Sequence, residues 1–162
     1  MIEIQPGLTK TDLNGDGKEE TLLKVWRENF NAHGYYVLMF LQGDASKNQP
    51  LSIIGIENKD EKTIESSIET DQGADCTVAD YRIFLSGKIT YLIAAQKPVD
   101  KDGYDALLPV SFNIYKLEYN EEGAPGTPEW LFKYIRTTQT KQTYCDVDEA
   151  FKTEEGLLAN QM

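Results

Sequence analysis

Val78-Ala79-Asp80-Tyr81-Arg82-Ile83-Phe84-Leu85, then Ser86-Gly87, then Lys88-Ile89-Thr90-Tyr91-Leu92-Ile93-Ala94-Ala95, is the passage on which the fold turns. Ala79, Tyr81, Ile83 and Leu85 recur at the two-residue period of a strand, and Asp80 and Arg82 fall on the opposite face. Ser86-Gly87 between two such runs reads as the two-residue turn of a β-hairpin. Downstream, Lys97-Pro98 ends the second strand and Pro98 to Asp105 is a loop. Leu108 to Tyr119 is a long strand. Its apolar residues fall first at Leu108, Val110, Phe112 and Ile114, then at Tyr115, Leu117 and Tyr119. That change of parity predicts a bulge or a strand passing between layers. Asn120 to Glu129, with two prolines and two glycines, is a hairpin loop, and Trp130 to Arg136 is the return strand.

Upstream of the hairpin, Thr21 to Trp26 alternates, and Tyr35 to Gln42 is an almost continuous apolar run, as in a central strand covered on both faces. Leu51 to Ile56 is a short strand. Asn58 to Gly73, charged and rich in Ser and Thr, reads as a loop with a helical turn. Asp146 to Glu155 is the one convincing helix: Asp146 caps it, Glu149 stands where a capping box needs it, and Val147, Ala150 and Phe151 make an apolar stripe. The tail beyond Gly156 is expected to fray. The pattern predicts a mainly β fold in a single domain over 1–162: an antiparallel sandwich or partly open barrel of about eight strands with one C-terminal helix.

The chain has 162 residues, 27 acidic against 16 Lys and Arg, one His, and a formal net charge of -11. Charge of that sign disfavours nucleic acid and anionic lipid as partners. No apolar run approaches the length of a membrane span. One His excludes any centre that needs two. No Gly-x-Ser-x-Gly elbow, Ser-x-x-Lys, Lys-Thr-Gly or phosphate-binding glycine loop is present, so the expected reading is a protein that is not an enzyme. His33 is either a hydrogen-bonded loop residue or, paired with a carboxylate, a base.

Asp12-Leu13-Asn14-Gly15-Asp16-Gly17-Lys18-Glu19-Glu20 is the one motif with its own chemistry. Oxygens at Asp12, Asn14 and Asp16 point inward when a loop curls around a hard cation. Gly17 permits the sharp turn, the Lys18 carbonyl faces the ion and Glu20 closes the shell, which suits Ca2+ in a structural role. The twelfth position of an EF-hand is Leu23 here, so the loop is not an EF-hand. A strand leaves it, and it resembles the strand–loop–strand calcium loops of FG-GAP repeats. The alternative is a plain turn with an acidic surface. Asp100-Lys101-Asp102-Gly103-Tyr104-Asp105 is a weaker echo, with a plain turn as its default.

Cys76 and Cys145 stand in polar, turn-like surroundings. They are either a disulfide closing a loop of about 70 residues, worth roughly 4 kcal/mol in the chain-entropy account, or two separate thiols. Tyr35, Tyr36, Tyr91, Tyr115, Tyr119, Trp130 and Tyr134 are cross-strand core pairs or an exposed ligand-stacking surface.

The acidic loop leading into a strand, then Arg27-Glu28-Asn29, Asn31-Ala32-His33 and the closing Tyr144-Cys145-Asp146-Val147-Asp148-Glu149-Ala150-Phe151, resembles the carbapenem intrinsic-resistance (CarG-like) proteins of Gram-negative bacteria. The resemblance implies a periplasmic protein, here without its leader, that protects against a β-lactam without a recognised hydrolase site. Protection then acts by binding the drug or shielding a target, with a small molecule or a cell-envelope protein as partner. The alternatives are a calcium-stabilised cell-envelope adhesion or interaction module, and a cytoplasmic location. The sequence sets no oligomeric state.

Overall fold

The computed structural model describes residues 1–43, 50–59, 63–99, 103–160 and 162. The strands are β1 (Ile2–Glu3), β2 (Gly7–Thr11), β3 (Glu20–Arg27), β4 (Tyr35–Gln42), β5 (Ser52–Glu57), β6 (Ile64–Glu65), β7 (Ile68–Glu69), β8 (Asp71–Gln72), β9 (Thr77–Ser86), β10 (Ile89–Gln96), β11 (Leu108–Tyr119) and β12 (Trp130–Tyr144). Two short helices follow, α1 (Val147–Thr153) and α2 (Glu155–Ala159). The sheet order is β1-β9-β10-β11-β12-β5-β4-β3-β2, with β6 on β5, β7 on β4 and β8 on β9. The fold is therefore mainly β, a single curled sheet forming an open half-barrel.

Every pairing is antiparallel except one. β12 runs parallel to β5 through Leu131↔Gly55 and Phe132↔Ile56, and β5 pairs antiparallel with β4 on its other side. This short join fuses two antiparallel halves into one sheet. It needs glycine: a Cβ on Gly55 would lie 2.5 Å from Ile64 Cγ2, 2.7 Å from Leu131 Cδ2 and 2.9 Å from the Pro128 ring.

The curl produces two cores. Inside it, Ile4, Leu13, Leu22, Leu38, Phe40, Ile54, Ile56, Ile83, Leu92, Leu117 and Phe132 pack together, with Phe40 and Phe132 edge to face at 5.0 Å. On the outer face, Ile93, Ala95, Val110 and Phe112 meet Val147, Ala150, Phe151 and Leu158 of the helices. This division explains the parity change in β11. Val110 and Phe112 face the helices, whereas Tyr115 and Leu117 face the inner core. A register shift does fall at Ile114/Tyr115, where Arg136 and Tyr134 are successive partners and Ile135 is the extra residue.

Several expectations are corrected. The hairpin turn is Gly87-Lys88, one residue later than Ser86-Gly87, since Ser86 still pairs with Ile89; Gly87 supplies the φ of 63°. Within residues 63–73, where the sequence reads as a loop, lie three two-residue strands: β6 pairs with β5, β7 with β4 and β8 with β9. β12 continues past Arg136 to Tyr144, its polar residues pairing with the first half of β11. The tail beyond Gly156 is helical through Ala159, and buried Leu158 anchors it in the outer core.

Asp80 and Arg82 are not on a solvated face: they are only 5% and 7% exposed. Helix α1 covers them. Arg82 donates to Asp80 and, at 2.5 Å, to Asp148, and its guanidinium lies 4.8 Å over the Phe151 ring. Lys24 Nζ stands 3.6 Å from the other Asp80 oxygen, so four charges alternate in sign from β3 to α1. The helix start is tied to the same strand. Asp146 accepts from Asp148 N at 2.7 Å as the cap and from Thr77 N at 3.2 Å. Cys76 and Cys145 are joined by a disulfide, with a Cα–Cα distance of 5.7 Å.

Replacing Gly55 by Ala is expected to lower unfolding stability by about 1–3 kcal/mol, because the join must part to admit a methyl group. Urea denaturation measures this; an unchanged midpoint would show that the parallel join has slack.

Candidate functional site

The open end of the half-barrel holds a cavity of about 750 Å³. Strand register explains it. Tyr81 of β9, Ala94 of β10, Asn113 of β11 and Thr137 of β12 form one cross-strand row, and Ile83, Leu92, Tyr115 and Tyr134 form the next. Paired residues share a face, so both rows point into the curl. Ala94 is the small member between two larger neighbours. With strands about 4.8 Å apart, the gap above it between Tyr81 and Asn113 spans roughly 10 Å.

The remaining walls are aromatic and polar. Tyr104 lies against Gly73, where a Cβ would come within 2.5 Å of it, and its ring is 4.9 Å from that of His33. His33 Nδ1 is 3.2 Å from the Gln72 carbonyl, which places this residue on the cavity wall. Buried Lys97 donates to the Tyr104 carbonyl at 2.5 Å and the Ala106 carbonyl at 2.8 Å, holding that loop against the mouth. Glu69 and Asp71 line the β7–β8 side. Burial, reinforced by the nearby Tyr115, Asp80 and Glu69, pushes the Tyr81 hydroxyl far above the ordinary tyrosine value. Beside the mouth, the β3–β4 loop presents Phe30 at 96% exposure with a φ of 56°, a backbone region costly for a non-glycine residue. Glu28 Oε1 accepts from Phe30 N at 2.7 Å and holds it there.

The loop singled out in the sequence lies elsewhere. Asp12, Asn14, Asp16, Lys18 and Glu20 connect β2 to β3, next to a second hollow of about 990 Å³ lined in part by Leu8, Leu41, Leu51, Tyr119 and Trp130. The loop's oxygens serve its own backbone: Asp12 accepts from Gly15 N and Gly17 N, Asn14 from Asp16 N, Asp16 from Lys18 N, and Glu20 from Leu13 N. Gly15 and Gly17 take φ values of 74° and 86° to allow it. Burial lifts the Glu20 carboxyl above its usual range; the Leu13 and Asn14 amides lower it, and Asp16 and Asp12 raise it further. Among the described residues, no three His, Cys, Asp or Glu side chains are grouped as metal ligands. In the second acidic stretch, Asp100, Lys101 and Asp102 lie outside the described residues.

The aromatic residues are mostly cross-strand pairs. Tyr115 and Tyr134 meet edge to face at 5.8 Å, Trp26 and Tyr36 at 5.0 Å, and Tyr119 and Trp130 at 5.5 Å. Sequence reading missed Ala94 and Asn113. Their signal is faint: Ser111 and Asn113 are polar at odd positions of a strand whose later odd positions are apolar.

Fold and cavity define a class of protein: an open β half-barrel stapled to its C-terminal helices, with an interior space of small-molecule size. Within that class, the family model described as carbapenem resistance protein CarG-like matches residues 4–153, and the chain belongs to the CarG-like family. A solved structure, the crystal structure of CarG, superposes with a TM-score of 0.75 at 24% identity, covering 93% of this chain and 92% of that one. That likeness is one of fold. No curated protein matches the chain. No helix among the described residues is long and apolar enough to cross a membrane.

The raised Tyr81 value carries a sign. The folded state holds the phenol proton more tightly than the unfolded chain does, so Tyr81 makes stability fall as pH rises above 10. In a phenolate absorbance titration, Tyr81 is expected to ionise late, with alkaline unfolding, and Tyr81→Phe to reduce the late step. A late step of unchanged amplitude in Tyr81→Phe would refute the assignment.

Proposed function

We propose that this protein gives protection against a carbapenem without catalysis, in the periplasm, by binding the drug or shielding its target. The observation that carries the reading is membership of the CarG-like family over residues 4–153. Three features support it. The cavity is within the size range of small-molecule sites. Its walls include tyrosines, amides and one imidazole, groups that bind a polar ring compound by stacking and hydrogen bonding, beside Glu69, Asp71 and aliphatic side chains. The disulfide suits an oxidising compartment.

The loop from Asp12 to Glu20 acts in this reading as a structural calcium site. Asp12, Asp16 and Glu20 lie close enough for the two aspartates to raise the Glu20 carboxyl, a repulsion that a cation would relieve. A second reading, a calcium-stabilised cell-envelope module, draws on the hollow beside that loop, where Leu8 is 71% and Tyr119 51% exposed. A small molecule and a cell-envelope protein are the partners of the two readings.

Expression with a periplasmic leader in a carbapenem-sensitive bacterium is expected to raise the inhibitory concentration; no change would sink the resistance reading in favour of the second. Purified protein supplies the calcium test. At about ten times a Kd in the extracellular range, calcium stabilises by about 1.4 kcal/mol and raises Tm by roughly 3–5 °C over the EDTA-treated protein. Equal melting temperatures would leave the loop a turn.

A further inference from the structure

Asn113 lines the cavity from β11 and belongs to a hydrogen-bond network with Thr137 and Tyr134 of β12 and with Lys59 at the rim. The directions of that network are determined by its own donors. Lys59 Nζ donates to Asn113 Oδ1 and to Thr137 Oγ1, both at 3.3 Å. The Thr137 hydroxyl donates to Asn113 Oδ1 at 2.6 Å. Thr137 has one proton to give, so at its 2.9 Å contact with Tyr134 it accepts, and the Tyr134 hydroxyl donates. Asn113 Oδ1 thus receives two donors, which orients the amide and leaves its NH2 group pointing away from the network.

Two consequences follow from counting. An ammonium has three N–H groups and the Lys59 bonds use two. Its partners Asn113 and Thr137 are neutral, as is the Tyr134 ring 5.9 Å away, and no carboxylate among the described residues pairs with it. Asn113 lines the cavity, and its Nδ2 has no bond among the described residues. Across Ala94, the Tyr81 hydroxyl also has no hydrogen bond among the described residues. Among the described residues, donors therefore outnumber acceptors around Asn113, one of them charged, while the space above Ala94 is open. A donor-rich spot at the edge of a cavity binds an oxyanion through charge-assisted hydrogen bonds.

We propose that Lys59 and Asn113 form a carboxylate-recognising subsite of the cavity, so that its ligand is a small ring compound bearing a carboxylate. The subsite deepens the drug-binding arm of the proposed function, which it takes as its starting point, by naming the group on the ligand that is recognised. Lys59 supplies the charge from the rim and Asn113 the directional amide. Ala94 supplies room for the ring, with Tyr81 on its far side.

The test uses the full chain with benzoate as probe and benzyl alcohol as its uncharged counterpart, both titrated by NMR. Benzoate is expected to shift the Ala94 and Asn113 amides. Lys59→Met should weaken benzoate about tenfold and leave benzyl alcohol unchanged, as loss of one charge-assisted bond does. Lys59→Arg should restore benzoate binding, and Ala94→Phe should block both probes. Lys59 is exposed at the rim, so Lys59→Met is expected to keep the fold, which an amide spectrum unchanged away from the cavity would show. Equal benzoate affinity in Lys59→Met, or shifts confined to amides away from the cavity, would overturn the proposal. Imipenem then separates this inference from the reading beneath it. If benzoate binding depends on Lys59 but imipenem does not displace it, the subsite stands and the drug-binding arm falls.

Discussion

The parallel contact between Gly55-Ile56 and Leu131-Phe132 is the constraint on which the architecture depends. Among the described residues the two antiparallel halves pair there through these contacts, and the inner core draws on both halves, Ile56 and Phe132 of the join included. Phe40 and Ile54 come from one half and Phe132 and Leu117 from the other. Apolar burial across the curl holds the halves together, while the backbone approach at Gly55 sets how tightly they close. A wider join would merge the cavity into solvent, and a flat sheet would have no inside.

The outer face of β9 adds a second restraint. Asp80 and Arg82 point out of the curl toward α1, while Tyr81 between them points into the cavity. Anchoring the strand from outside therefore positions a cavity wall from inside. Burying such charges is costly, and they are tolerated because they alternate in sign. Arg82 hydrogen-bonds Asp80 and Asp148, while the other Asp80 oxygen has only the Lys24 ammonium at 3.6 Å to offset its burial. The disulfide and the Asp146 cap fix where the helix begins, so Phe151 reaches the Arg82 guanidinium and Phe112. The helices cover the far side of the sheet from the cavity and leave its mouth open.

Much of this was legible in local pattern. Tyr35–Gln42 is a strand over its full predicted length. The capping residue Asp146 and the stripe Val147, Ala150 and Phe151 do what their spacing implies. The change of parity in β11 marked a real feature, a strand that serves two cores. Where reading failed, the cause was tertiary. The two-residue period places Asp80 and Arg82 only on the face opposite the apolar one; that this face is buried depends on Asp148, 66 residues beyond Arg82, and the helix that carries it. The acidic loop drew attention by its composition, whereas the cavity is assembled from residues that are individually ordinary, among them Ala94, Asn113 and Tyr81.

The sequence by itself determined the β class, the late helix and the run of the main strands β3, β4, β5, β9, β10 and β11, because period, turn chemistry and caps act over a few neighbouring residues. It left open whether Cys76 and Cys145 pair and how the strands are ordered. Tertiary structure decided both, together with the position of the cavity. Pairing of strands far apart in the chain depends on which surfaces bury one another best, and that comparison exists only once the whole sheet has curled. The cavity over Ala94 is the same kind of fact: three strands must align in register before one small side chain becomes a space between two larger ones.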